Sequence, residues 1–235
     1  MNYESAELAK ISINVLLASS VTTTNILASA CENVAADWHD IVPALRSDKR
    51  IGKNAYLKPG LGISGGNIER DLRSIQDILK QNTQHKKTIE SFRKNSNFMK
   101  SWIYRVLTKK IIMNKKKFFT LGIFGLTYKE NTNYIKNSQS IFLLKKLTKF
   151  KKIKTYIYDP KAKLNQSYKN CSQVFDMKKL IQKSNILIFA TPWDEFKKVN
   201  NFRRLILKKK IIIIDPLRIT KFYNINKKKY FTIGK

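Results

Sequence analysis

The sequence predicts a two-part chain of the α + α/β class, helical first and then built on a parallel sheet with helices on its faces. Three observations carry this. Residues 3–34 are a single stretch rich in Ala, Leu, Ile and Val. From Lys117 onward short apolar runs alternate with helical stretches, the pattern of a parallel sheet. Between them, residues 82–117 are polar and basic, as a connection is. A chain of 235 residues holds one generous core or two modest ones.

Taken in order, 3–34 reads as one long helix, whose Ala6, Ala9, Ala18, Ala28 and Ala30 let a partner helix approach closely. A second helix is expected from Asp37 or Trp38 to just before Arg46. Residues 50–66, RIGKNAYLKPGLGISGG, form a loop with five glycines. A helix follows from about Asn67, apolar at near-helical spacing in NIERDLRSIQDILKQN. A connecting helix is expected around 89–107. Strands are expected at 118–124, 154–158, 186–190 and 210–214, with a weaker fifth at 230–233, and helices at 138–149 and 177–183. The boundaries implied are 1–85, 86–116 and 117–235. In such a sheet ligands bind beyond the C-terminal strand ends. Those ends are 125–129, Asp159, 191–193 and 215–218.

Composition bounds the rest. At 43% hydrophobic and 11% aromatic the chain is outside the disordered class. No uninterrupted apolar run approaches the roughly 18 residues of a membrane span. Residues 1–10 carry Glu4 and Glu7 without a basic n-region, so no signal peptide is expected. Cys31 and Cys171 are far apart and without a His/Cys cluster, which disfavours a disulfide framework or metal site and fits a reducing cytoplasm. Charge is uneven: residues 1–80 hold nine basic and nine acidic side chains, residues 81–235 hold 38 and seven. Such a field attracts polyphosphate, nucleic acid or anionic membrane. Yet lysines outnumber arginines 38 to 9 in company with Asn and Ile, as A/T-rich codons would produce. A nucleic-acid reader favours Arg forks and stacking aromatics. Compositional drift is the favoured cause, and neither nucleic acid nor membrane is expected as a partner.

Several constellations carry chemistry. Lys10 and Asn14 are four apart on the first helix and share a face. A lysine beside a neutral amide can carry a proton or hold a water, although a solvated lysine is the plainer reading. The loop GLGISGGN brings backbone N–H groups near a ligand. It is not a dinucleotide fingerprint, because no buried strand precedes it. Asn67 stands where a helix should open and suits an N-cap, and Asp71 is one turn further along. The turn LGIFGLTYKENT offers Gly122 and Gly125, without full G-x-G-x-x-G spacing. Cys171, in NCSQ, lacks a neighbouring base and is not expected to be a nucleophile.

Together these stretches resemble the UDP-glucose/GDP-mannose dehydrogenase family of nucleotide-sugar dehydrogenases. SAELAKISINVLLAS is similar to that family's central dimerisation helix. The resemblance sets Lys10 and Asn14 on its catalytic lysine and asparagine and implies a homodimer through the long helix. DKRIGKNAYLKPGLG matches the segment lining the sugar nucleotide. By that match Arg50 would reach the partner subunit's substrate, while Tyr56, Leu57 and Lys58, with Gly60 and Gly62, bind the sugar nucleotide. LGIFGLTYKENTNYIKNS is similar to the UDP-binding strand and turn, which puts Tyr128 and Lys129 at substrate positions. Lys136 falls where the family has an NAD-contacting arginine, and Tyr134 replaces an acidic residue. YIYDPKA, ILIFATPWDEF and IIIIDPLRI resemble later strands, with Arg218 near another substrate arginine. The implied fold is a helical dimerisation domain (1–85), a connection (86–116) and a Rossmann-like parallel-sheet UDP-binding domain (117–235). The implied activity is NAD-dependent oxidation at a sugar CH–OH of a UDP- or GDP-sugar, in polysaccharide biosynthesis.

Two departures shape the expectation. No segment supplies a strand, G-x-G-x-x-G turn and helix to hold NAD, so a truncated or split form is expected, its NAD domain a possible separate polypeptide. The family's loop reads roughly G-x-G-F/Y-G-G-S-C-F-P-K-D, and here Asn67 stands at the cysteine. A carboxamide cannot form the thiohemiacetal that a thiolate forms, its nitrogen lone pair being delocalised. Lys10, Asn14 and Asp71, which in the family orient a water, are present. A two-electron alcohol/carbonyl interconversion is therefore expected, against the alternative of a non-catalytic sugar-nucleotide-binding or dimerisation remnant.

Overall fold

A computed structural model of the chain describes residues 1–64, 66–112, 118–222 and 229–235. The chain divides into two compact units, Met1–Lys100 with Ile233–Lys235, and Ser101–Thr232.

The first unit is helical. Helix α1 (Tyr3–Val34) opens at Asn2, whose side chain accepts the Ser5 amide, and stops at Ala35, left-handed at φ 56°. It continues through Thr22, Thr23 and Thr24, weak helix formers, because Thr22 and Thr24 are buried and packing overrides propensity. Helix α2 (Trp38–Ser47) is capped by Asp37, which accepts the His39 amide, and runs past the expected end before Arg46. Helices α3 (Asn67–Ile78) and α4 (Thr83–Lys100) pack on α1. Leu72 of α3 and Ala18 of α1 are fully buried with Ile63 and Ile89. Burial of a side chain such as Leu72 contributes about 1.5–3 kcal/mol. One window of α1 reaches a mean hydropathy of 1.4. By length and composition α1 could therefore cross a membrane, which uninterrupted apolar runs did not suggest. Its inner face carries Thr24 and Asn25 hydrogen-bonded to the glycine loop, as a core helix does; its outer face leaves Ile13, Leu16, Ile26 and Val34 exposed.

The segment 86–116, expected as a connection, is shared between the units. Helix α4 belongs to the first. A short helix α5 (Trp102–Arg105) and a π-helix (Val106–Ile112) belong to the second, where Trp102, Ile103, Val106 and Leu107 are buried. The lysines that mark this stretch as linker conceal an apolar face, so the division falls after Lys100.

The second unit is a parallel sheet of β1 (Phe119–Phe124), β2 (Ile153–Tyr158), β3 (Cys171–Gln173), β4 (Ile186–Phe189), β5 (Ile212–Ile214) and β6 (Tyr230–Phe231). Their order is β3-β2-β1-β4-β5-β6, so the winding reverses at β1 between β2 and β4. Helices α6 (Gln139–Leu147), α7 (Met177–Lys183) and α8 (Arg203–Lys208) lie between strands in the chain. Leu121 stands opposite Thr155 on one side and Ile186 on the other. The near-complete burial of FTLGIF and ILIF explains their continuous apolar runs. Phe124 and Phe189 stack at 4.8 Å, and Phe196 tilts against Phe124 at 5.2 Å. Phe196 comes from a 3-10 helix (Asp194–Phe202).

Candidate functional site

In the first unit the site is built where α1 meets α3. Asp71, on α3, is 2% exposed. Its Oδ2 accepts Asn14 Nδ2 at 2.6 Å and Lys10 Nζ at 3.3 Å, and its Oδ1 accepts Arg70 Nε at 3.1 Å. Those donors, Asn14 foremost, hold the Asp71 carboxyl below the usual carboxylate range, against burial, which pushes it up. Lys10 and Asn14 face Asp71 because residues four apart on a helix share a face. Lys10 keeps 61% of its side chain exposed, so its ammonium is held at one end and open at the other.

Asn67 lies one turn before Asp71 on the same helix. It is exposed, and it is not the cap: Gly66 holds that position without a side-chain bond, and Asn67 is already helical. The glycine loop before it is fastened by side chains of its neighbours. Thr24 donates to the Tyr56 carbonyl at 3.2 Å, Trp38 Nε1 to the Leu57 carbonyl at 2.9 Å, and Gly60 N to Asn25 Oδ1 at 2.8 Å. The Ile63 amide donates to Ser96 Oγ at 2.8 Å. Gly62 sits at φ +85°, where a Cβ would lie 2.4 Å from the Ser96 carbonyl oxygen; a side chain is excluded on both counts. The outer ends of the loop face outward, with Tyr56 and Lys58 exposed. Arg50 is 89% exposed and forks onto its neighbour Asp48 at 2.6 and 3.0 Å. Lys10, Asn14 and Asp71 thus meet, the loop residues share one fastened segment, and Arg50 stands apart from both.

In the second unit the C-terminal strand ends form a rim. Asp159, after β2, accepts the amides of Leu126 and Thr127 at 2.7 and 3.2 Å, and those of Lys161 and Ala162 at 2.9 and 2.8 Å. Tyr128 and Tyr134 meet edge to face at 5.9 Å, and Lys129 Nζ lies 5.5 Å from the Tyr128 ring centre. After β5, Asp215 is fully buried and accepts the Ile219 and Thr220 amides and the Tyr230 hydroxyl. Burial pushes its carboxyl up against the pull of those donors. The same turn sets Arg218 left-handed at φ 50°. Lys136 lines an open concavity of about 680 Å³ with Tyr134, Lys145, Lys163 and Tyr168.

Gly122, within β1, and Gly125, just after it, are both closed on the side where a Cβ would stand. A Cβ at Gly125 would meet Thr191 at 2.4 Å, and one at Gly122 would meet Ser184 and Leu180 at 2.4 and 2.6 Å. Both spaces are filled by the protein's own side chains. The connection from β1 to α6 runs through residues 125–138, and Ser138 itself caps α6 by accepting the Ile141 amide. The Leu126 and Thr127 amides of the same turn are given to Asp159, so this turn does not present the free N–H groups that an NAD pyrophosphate would need. Among the described residues no cluster of His, Cys, Asp and Glu could hold a metal.

Sequence reasoning missed Thr24, Asn25, Trp38 and Ser96, which fasten the loop, and the ties of Asp159. Asp159 and Asp215 were visible only as rim positions.

Comparison with known proteins follows this division. Residues 4–97 match the family model "UDP-glucose/GDP-mannose dehydrogenase family, central domain", and residues 122–221 match that family's UDP binding domain. The chain is 28% identical over 238 residues to a UDP-glucose 6-dehydrogenase of Rickettsia bellii, covering 97% of this chain and 54% of that one. It is 28% identical over 218 residues to the UDP-glucose 6-dehydrogenase TuaD of Bacillus subtilis, covering 91% and 46%. Its fold matches that of a UDP-glucose dehydrogenase from Pyrobaculum islandicum with TM-score 0.78 at 21% identity, over 98% of this chain and 51% of that one. The chain spans about half the length of the relatives it matches.

Proposed function

Because the chain belongs to the UDP-glucose/GDP-mannose dehydrogenase family, we propose that it binds a UDP- or GDP-sugar and supplies the acid–base and substrate-holding part of a nucleotide-sugar dehydrogenase. The observation that carries this reading is the buried Asp71 carboxylate holding Lys10 and Asn14 at the end of a fastened glycine loop. Asp71, given three donors and held low, acts as an anchor rather than a base. It fixes Lys10 and Asn14 so that their remaining hydrogen-bonding capacity orders a water against the sugar CH–OH, and the alcohol proton leaves through that water. By family resemblance, Tyr56, Leu57, Lys58, Gly60 and Gly62 are the first unit's contacts to a sugar nucleotide and Arg50 reaches the partner subunit's substrate; Tyr128, Lys129 and Arg218 are the second unit's own nucleotide contacts. NAD, with the NAD contact read at Lys136, is assigned to assembly with a separate NAD-binding domain. No hydride step is assigned to residues 1–235.

Asn67 limits the chemistry. Without a thiolate there is no covalent aldehyde adduct, so the reaction stops at a two-electron alcohol/carbonyl interconversion. The same residue favours a second reading, a sugar-nucleotide-binding and dimerisation remnant without turnover. The outer face of α1, with Ile13, Leu16, Ile26 and Val34 exposed, supports a homodimer, since each such side chain contributes about 1.5–3 kcal/mol when buried. Two free cysteines fit the cytoplasm, where polysaccharide precursors of this kind would be made.

Calorimetry with UDP-glucose and GDP-mannose, with and without NAD, together with solution mass, tests the proposal. A dimer that binds one sugar nucleotide is expected, with Lys129→Ala about tenfold weaker, the loss of one charge-assisted contact. Unchanged affinity in that variant removes the second unit from the site. Assembled with an NAD-binding domain, release of two NADH per sugar excludes the two-electron reading, and no NADH at all selects the remnant.

A further inference from the structure

Residues 233–235 follow β6 in the sequence yet belong to the first unit. Ile233 is fully buried there. The Gly234 amide donates to Glu32 Oε1 at 3.1 Å, and its carbonyl accepts the Trp38 amide at 2.9 Å. Lys235 Nζ lies 3.5 Å from Asp37 Oδ2, the side chain that caps α2. Gly234 adopts φ +78°, and a Cβ on it would lie 2.7 Å from Trp38 Cβ and 3.2 Å from Ala28 Cβ. The tripeptide is therefore wedged between the end of α1 and the start of α2, in a space that glycine alone fits.

Trp38 is the next link. It is 1% exposed, and its indole N–H, the only donor an indole has, goes to the Leu57 carbonyl at 2.9 Å. That carbonyl belongs to the planar peptide joining Leu57 to Lys58, so holding its oxygen restrains the peptide that links the two Cα atoms. A Cβ added at position 234 would press on Trp38 Cβ, at the opposite end of the side chain whose nitrogen holds the Leu57 carbonyl.

We infer that Trp38 and Gly234 are positioning residues for the loop around Tyr56–Lys58: residues 233–235 seat Trp38, and Trp38 sets the Leu57 carbonyl. The benefit to ligand binding rests on the loop's proposed sugar-nucleotide role, whereas the coupling from 234 to 57 does not.

The experiment is hydrogen exchange by mass spectrometry on the full chain carrying Gly234→Ala, Trp38→Phe or both, with UDP-glucose titration by calorimetry alongside. Trp38→Phe keeps a large aromatic in place and removes the donor, so it decides the question if Gly234→Ala unfolds the first unit. Either variant should speed amide exchange in peptides spanning 54–62 about fivefold, the equivalent of one net hydrogen bond. Exchange in α3 and β1 should stay unchanged, and the double variant should exceed neither single one, because both act through the same link. If the wild-type chain binds UDP-glucose, each variant should weaken that binding by a similar factor. Unchanged loop exchange in Trp38→Phe overturns the inference, as does an equal rise across the whole first unit, which marks simple loss of stability. A wild-type chain that ignores UDP-glucose refutes the sugar-nucleotide reading, while the exchange result still decides the coupling.

Discussion

Replacing Asn14 by Ala removes the shortest donor from the Asp71 carboxylate, the amide at 2.6 Å. A hydrogen bond to a charged group contributes about 1.5–3 kcal/mol, and Asp71 is too buried to recover one from bulk water. The other donors cannot compensate. Lys10 and Arg70 are each 61% exposed, and ion pairs of such side chains contribute about 0–1 kcal/mol. The expected loss in Asn14→Ala is therefore about 2 kcal/mol at pH 7. It should depend on pH. Asp71 is held low by its donors, Asn14 first. A carboxyl depressed in the folded state stabilises it above the unfolded value, about 3.9, and that contribution is lost as pH falls through the folded value. The gap between wild type and variant should thus be full near neutrality and narrow in acid, below about pH 4. Hydrogen exchange of α3 amides at several pH values reads the first unit separately from the second. A carboxyl carbon NMR titration should show Asp71 moving upward in the variant, where burial meets less opposition. A stability gap equal in acid and at neutrality, or an unmoved Asp71, would refute the reasoning.

Three further outcomes follow from local geometry. Gly62→Ala combines a left-handed backbone at φ +85° with a Cβ 2.4 Å from the Ser96 carbonyl oxygen. It should cost about 3 kcal/mol, seen as a lower melting temperature of the first unit. Burial pushes the Cys171 thiol up to about 11, so its native alkylation by iodoacetamide at pH 8 should be about two orders of magnitude slower than that of a free thiol. The rate should become normal in urea; a fast native reaction would place the thiol elsewhere. Asn67→Cys replaces an exposed residue that makes no cap bond, so stability should stay within about 0.5 kcal/mol while the new thiol reacts at ordinary rates.

Much of this molecule was legible from pattern. The parallel sheet was readable because FTLGIF and ILIF are buried on both faces and so run apolar without interruption. Strand β3 escaped because CSQ is short, polar and at the sheet edge, and β5 narrowed to Ile212–Ile214 because only those residues pair with β4. The boundary after Lys100 escaped because lysines mask the buried face of Trp102, Ile103 and Leu107. In the site, helical spacing put Lys10 and Asn14 on one face, but nothing in spacing joins them to Asp71. That pairing was legible only through the family resemblance. Trp38, Asn25, Ser96 and Gly234 were missed because each acts alone across a long sequence gap, with no periodicity to betray it. The N-cap expected at Asn67 falls one residue earlier, at Gly66, because the helix already includes Asn67.

The Asn14–Asp71 bond ties α1 to α3, so it would serve the fold of the first unit even without any reaction. Lys10 is different. Its ammonium sits 3.3 Å from Asp71 with most of the side chain in solvent, a position worth about 0–1 kcal/mol to stability. Folding has little use for a cation there, whereas a proton relay needs a positive donor fixed at one end and open at the other. In the proposed reaction Lys10 therefore handles the proton while Asp71 holds it in place, and Asn67 sets the limit: proton and substrate handling, without a covalent intermediate.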